Sequence, residues 1–96
     1  MVAIVFPATM VPATVIGEEK EVTIGDQKVS FATAISRNIA PGSTAGLPGL
    51  VLPAGLTQRG LPVSLEFDGP SGTDRSLLAF GLSVEGVLGR LPPPKI

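Results

Sequence analysis

The sequence predicts an α/β architecture, a mixed sheet with a C-terminal helix on one face. Three observations carry it. Short apolar runs (Val2–Phe6, Leu50–Pro53 and Pro62–Asp68) are bounded by Gly and Pro, as strands are. From Asp74 onward, Leu77, Leu78, Gly81, Leu82, Val84 and Leu88 recur at three- and four-residue spacing, the signature of an amphipathic helix. The 96 residues also hold 12 glycines and 10 prolines. That is too much punctuation for a helical bundle, and the runs between are too apolar for disorder.

Each element follows from local chemistry. Val2-Ala3-Ile4-Val5-Phe6 reads as a buried strand stopped by Pro7. The stretch after it, through Pro12 to Gly17, keeps no period and reads as a loop. Glu21–Ile24 and Gln27–Ser30 flank Gly25-Asp26 as a small, charged hairpin, with Val22, Ile24 and Val29 alternating. Phe31, Ala34 and Ile35 give the segment Phe31–Arg37 helical spacing. Pro41 to Gly46 reads as a loop or a single turn. Leu50–Pro53 and Pro62–Asp68 then pair around the polar tip Thr57-Gln58-Arg59-Gly60. In the final helix, Ser71 or Thr73 is the expected N-cap, and Asp74 sits where the helix dipole favours a carboxylate. Leu77, Leu78, Leu82 and Leu88 are expected to pack on the sheet. Gly89 and Pro92-Pro93-Pro94 stop the helix.

The run Leu50-Val51-Leu52 lacks polar alternation, so it reads as a strand covered on both faces. A chain of this size buries only about 60–65% of its unfolded surface. It lacks the material to cover a sheet twice, which implies a part of something larger. Composition agrees: 44% of residues are hydrophobic, 16% are charged, and the mean hydropathy is +0.44.

The same inventory excludes function classes. A net charge of −1 disfavours nucleic acid and anionic membrane surfaces as partners. Pro7 and Pro12 interrupt the uncharged start of the chain, which lacks the basic residues of a targeting segment. Pro41, Pro48 and Pro53 would break Asn38–Gln58 as a membrane helix. The absence of cysteine is compatible with the cytoplasm, the expected location. With no histidine and no cysteine, the commonest general base, the thiolate nucleophile and the usual zinc ligands are all missing. No cofactor and no metal site are expected. Glu18, Glu19 and Glu21 read as a solvated hairpin edge rather than an acid/base pair.

Two further motifs imitate active sites. Gly42-Ser43-Thr44-Ala45-Gly46 frames a serine with glycines, but a serine needs an adjacent base. Lys20, Lys28 and Lys95 all fall in polar segments, so the run reads as a turn leading into a strand. Gly69-Pro70-Ser71-Gly72-Thr73-Asp74 lies between strand and helix, where backbone N–H groups can hold phosphate. It lacks the P-loop lysine, and Asp74 repels an anion, so it reads as an N-capping turn.

The run from Asn38 through Gly46-Leu47-Pro48-Gly49-Leu50-Val51-Leu52-Pro53-Ala54-Gly55-Leu56, then Gly60-Leu61-Pro62-Val63-Ser64-Leu65-Glu66-Phe67-Asp68-Gly69-Pro70, then Asp74 and Leu77-Leu78, resembles the C-terminal segment of amidase signature enzymes. Their usual form is N-x-x-G-L-P-A-L-S-V-P-x-G, then G-L-P-V-G-L-Q, then a D-x-x-L-L helix. Ser64 stands where Gly is usual, and Glu66 where Gln is usual. Asp68-Gly69-Pro70 and the Asn38, Pro41-Gly42-Ser43 details are similar to the mandelamide and indoleacetamide hydrolase branch.

That resemblance implies a single C-terminal portion, residues 1–96, of a partial amidase-signature fold. The family's chemistry comes from a Ser–cis-Ser–Lys triad in other segments, so no catalytic residue carries over. The loop after the first strand lies near the acyl side of the family's pocket. This makes Pro7, Ala8 and Thr9, with Met10 and Val11 beyond them, candidate pocket-wall residues; a structural Pro-rich turn is the alternative. The implied function is the C-terminal part of an amide hydrolase, inactive alone. One alternative is part of a split amidase that works with a triad-bearing partner; another is a non-catalytic module that binds a partner or itself. A homo-oligomer is expected for the chain alone.

Overall fold

A computed structural model describes residues 2–17 and 20–93. Glu18, Glu19, Pro94 and Lys95 lie outside them. The order is β1 (Ile4–Pro7), β2 (Glu21–Ile24), β3 (Gln27–Ser30), α1 (Phe31–Ser36), α2 (Ala40–Ala45), β4 (Gly49–Leu56), β5 (Pro62–Asp68) and α3 (Asp74–Leu88). The α/β architecture with a C-terminal helix is therefore present, with every pairing in the two sheets antiparallel.

The main sheet runs β1–β5–β4, with β5 central. Val5 and Leu50 lie opposite Phe67 on its two sides, and Phe6 and Val51 lie opposite Glu66. Because side chains alternate along a strand, Val5, Leu50, Leu52, Leu65 and Phe67 share one face. Ile4, Phe6, Gly49, Val51, Glu66 and Asp68 share the other. At the β4–β5 tip, Gly60 adopts φ 83°, and Thr57 holds Leu61 twice, through its backbone N–H and its hydroxyl oxygen. The register slips between Pro53 and Gly55. Proline, which has no N–H, is tolerated there because β4 is an edge strand.

Helix α3 lies on the Phe67 face. Leu77 and Gly81 are buried against the sheet, and Phe80 meets Phe67 edge-on at a centroid distance of 5.7 Å and an interplanar angle of 71°. A Cβ on Gly81 would overlap Leu50 Cδ2, so glycine sets how closely the helix approaches. On the opposite face, α2 covers only the end of the sheet near Asp68, with Gly42 buried. Burial along β5 is consequently graded. Pro62 and Val63 are exposed, whereas Glu66, Phe67 and Asp68 are all buried.

A second unit forms from the β2–β3 hairpin, which turns at Gly25 (φ 63°), and from α1. Ser30 caps α1 by accepting from the Thr33 N–H at 3.2 Å, and Ala34 of α1 is fully buried.

Three expectations change. The first strand forms at Ile4–Pro7, but Ile4 and Val5 are 51% and 55% exposed: β1 is a sheet edge that the described residues leave largely uncovered. Pro41 to Gly46 is not a loop, because Pro41 fits the first turn of a helix and Gly46 (φ 74°) closes it. Leu78 and Leu82 do not pack on the sheet. They are 59% and 74% exposed, on the outer side of α3, because the buried stripe runs through Leu77, Gly81 and the half-buried Val84 and Leu88.

This placement separates neighbouring leucines. Leu77→Ala should cost about 2–5 kcal/mol, as for a buried leucine, and Leu78→Ala under about 1 kcal/mol. Denaturant melts of the two variants check it; equal losses would mean that α3 does not dock as described.

Candidate functional site

The strand β1 ends at Pro7, and the chain then crosses the open end of β5. Four hydrogen bonds hold this crossing. The Ala8 N–H donates to the Ser64 carbonyl at 3.2 Å, and the Met10 N–H to the Ala34 carbonyl at 3.0 Å. The Asn38 side-chain amide donates to the Pro7 carbonyl at 2.9 Å, and the Thr9 hydroxyl to the Val11 carbonyl at 2.6 Å. The loop so fixed encloses, with Val51, Val63 and Ser64, a cleft of 320 Å³. The candidates Pro7, Ala8, Thr9, Met10 and Val11 all line it. Its walls are Pro, Ala, Val and Met with two hydroxyls, so it offers shape and apolar contact and no ionisable group. A wider groove of 560 Å³ continues from Val11–Val15 toward the β2–β3 hairpin, with Glu21 and Arg59 on its rim.

A second recess, of 260 Å³, lies under α2. Ile39, Ser43, Leu47 and Val51 line it, and two carboxyl groups close it: Glu66 and Asp68, both more than nine-tenths buried. They are two residues apart on a strand and therefore point the same way. A Cβ on Gly42 would overlap the Asp68 carboxyl, and one on Gly49 would stand 2.9 Å from Asp68 Oδ1 and 3.2 Å from Glu66 Oε2. Two glycines thus make room for the pair. Burial pushes the Glu66 carboxyl up to about 7; a hydrogen bond to Asp68 and the charge of Asp68 add to the shift. Glu66 therefore carries its proton below neutrality and loses it as pH rises through about 7.

The sequence marked Glu66 only as a departure from the usual Gln. The available signal was two acids alternating around Phe67 in an otherwise apolar strand. Ser43 lines the same recess as these carboxyls, and no lysine is among the described residues that line it; Lys20 and Lys28 are exposed, and Lys95 is outside the described residues. Glu21 is exposed on the hairpin edge, and Glu18 and Glu19 are outside the description. In the turn before α3, the Thr73 hydroxyl donates to the Pro70 carbonyl at 2.5 Å. Among the described residues there is no cluster of three potential metal ligands, and no helix is long and apolar enough to cross a membrane.

The contact between α2 and Asp68 can be tested directly. Gly→Ala inside a helix ordinarily gains about 1 kcal/mol. Gly42→Ala should instead lose about 1–3 kcal/mol, as for overpacking, because the added methyl overlaps the Asp68 carboxyl and must displace it from its place beside Glu66. Combined with Asp68→Ala, the two losses should fall short of additive in denaturant melts. Full additivity would show that the two residues do not touch.

Comparison with known proteins places these features. The family model described as Amidase matches residues 2–78. The chain is similar to an indoleacetamide hydrolase of Agrobacterium vitis, with 45% identity over 86% of this chain and 18% of that protein. It is similar to a mandelamide hydrolase of Pseudomonas putida, with 50% identity over 68% of this chain and 13% of that protein. A crystal structure of an amidase superposes with a TM-score of 0.83 at 33% identity, covering 91% of this chain and 20% of the other. The chain thus spans about a fifth or less of the length of the relatives it matches.

Proposed function

This chain belongs to the amidase family, and from that membership we propose that it is the C-terminal portion of an amide hydrolase, forming one wall of the acyl pocket. The single observation that carries this reading is the cleft at Pro7–Val11. It is mostly apolar, fixed by hydrogen bonds on both sides, and lined by no ionisable group. Such a surface binds the side of a substrate that does not react. The two relatives above are named for amides of aryl-substituted acetic acids. An amide of that class is the proposed substrate, with Pro7, Ala8 and Thr9 against its acyl group.

The nucleophile and its base would come from the Ser–cis-Ser–Lys triad of the remaining amidase fold. That partner is either covalently continuous with this chain or a separate triad-bearing piece. Open strand edges at β1 and β4, with Ile4, Val5 and Val51 exposed, favour such a complement. In the proposed setting the protein works in the cytoplasm, with neither nucleic acid nor membrane as partner.

The 96-residue chain alone should give no turnover of indole- or phenylacetamides above background, with Ser43→Ala as control. Mixed with an amidase relative truncated of its matching segment, it should restore hydrolysis. Turnover by the chain alone that is lost in Ser43→Ala would overturn the reading, as would failure of any amidase piece to bind it. Without a complement, its open edges should drive self-association. Light scattering at about 100 µM, where weak association becomes visible, should show dimers or larger species; a monomer that binds no hydrophobic dye would contradict this.

A further inference from the structure

The segment from α1 to α2 holds the loop of the cleft and lines the recess. At one end, Ala34 and Asn38 hold Met10 and Pro7 of the cleft loop. At the other, one helical turn beyond Asn38, Gly42 rests on the Asp68 carboxyl. We infer that Glu66 and Asp68 form a proton-gated seat for α2, and that proton loss there loosens the cleft loop through Asn38 and Ala34.

Among the described residues, no cation lines the recess. β1, β4, α2 and the Gly46–Pro48 link carry no ionisable side chain. Arg37, which follows α1, is exposed and does not line the recess. The one ion pair found among the described residues joins Arg90 to Glu85 at 3.9 Å, on the far helix. With a proton on Glu66, that carboxyl donates a hydrogen bond to the Asp68 carboxylate, and the recess holds one charge. Without it, two charges face each other under α2 with no cation between them, and hydrating them requires water to enter. Helix α2 is the movable side of the recess: it has six residues and no side-chain N-cap hydrogen bond, whereas β5 is held by strands on both sides.

The direction with pH follows from the raised value. A carboxyl held at about 7 against an ordinary 4.5 contributes stability that is fully present below about 4.5 and is lost as pH rises through about 7. The seat is therefore closed on the acid side and loose on the alkaline side. The significance for the cleft rests on the proposed acyl-pocket reading. The test does not, because it is read on the chain without substrate.

The experiment is amide hydrogen exchange from about pH 5 to about pH 8, which brackets that change, expressed as protection factors. The Leu47 N–H (bonded to the Gly42 carbonyl) reports α2, the Met10 N–H reports the cleft loop, and the β5 ladder is the internal reference. Protection at Leu47 and Met10 should fall by about tenfold or more as pH rises, well within what a shift of this size allows, while β5 changes little. Glu66→Gln should abolish the dependence. If that variant does not fold, carboxyl-carbon NMR titration of the unmodified chain decides: Glu66 titrating in the ordinary carboxylate range overturns the seat. It is equally overturned by flat protection in the unmodified chain, by an unchanged pH dependence in Glu66→Gln, or by loosening spread evenly over β5. A fall at Leu47 without one at Met10 overturns the link to the cleft.

Discussion

Phe67 joins the three strands of the main sheet to helix α3. It sits in the central strand, opposite Val5 on one side and Leu50 on the other, and it meets Phe80 of α3 edge-on. None of these partners is secure by itself. β1 has four residues and pairs with a strand some sixty residues later, so its closure entropy must be offset by contacts at its end. Helix α3 contains Gly81 and Gly86, each about 1 kcal/mol worse than Ala in a helix interior, and a helix of this length is marginal in water without packing. Only the β4–β5 hairpin is local. Its tip fixes the register through Thr57 and Gly60, and that register places Phe67 where β1 and α3 can use it.

The graded burial of β5 extends the same constraint. Its Asp68 end lies between α3 and α2, a three-layer arrangement, whereas its Pro62 end is covered by neither helix. A short chain can close a sheet on both faces over a few residues only. The apolar run at Leu50–Leu52 fits a strand covered twice, yet Val51 is 49% exposed here. The likeness to a solved amidase covers a fifth of that protein.

The elements that were legible in the sequence are those set by local chemistry. Gly25-Asp26 between alternating residues gives the hairpin, the spacing of Phe31, Ala34 and Ile35 gives α1, and Asp74 to Gly89 bounds α3. What stayed hidden depended on distant partners. Pro41 and Gly42 look like a turn until Asp68, more than twenty residues away, explains why a glycine belongs inside a helix there. Leu78 and Leu82 have the right period for a buried face, but periodicity cannot tell whether the covering layer belongs to this chain. The candidate wall at Pro7–Thr9 came from family resemblance. The cleft that these residues line, and its anchor on Asn38, are products of tertiary structure that no local pattern encodes.

Shape and charge are kept apart in this molecule, and the separation bears on what the chain can contribute. The cleft at Pro7–Val11 is walled by groups that neither ionise nor act as a base. The carboxyls that do ionise lie under α2, with no cation among the residues lining their recess. Val51 borders both spaces, so a single apolar side chain stands between them. Amide hydrolysis needs a nucleophile beside a base and donors aimed at the developing oxyanion. Glu66, hydrogen-bonded to Asp68, lines the recess under α2 and not the cleft. Under the proposed reading the division of labour is therefore geometric: these residues fix where the substrate lies, and the triad-bearing part of the amidase fold supplies the reaction.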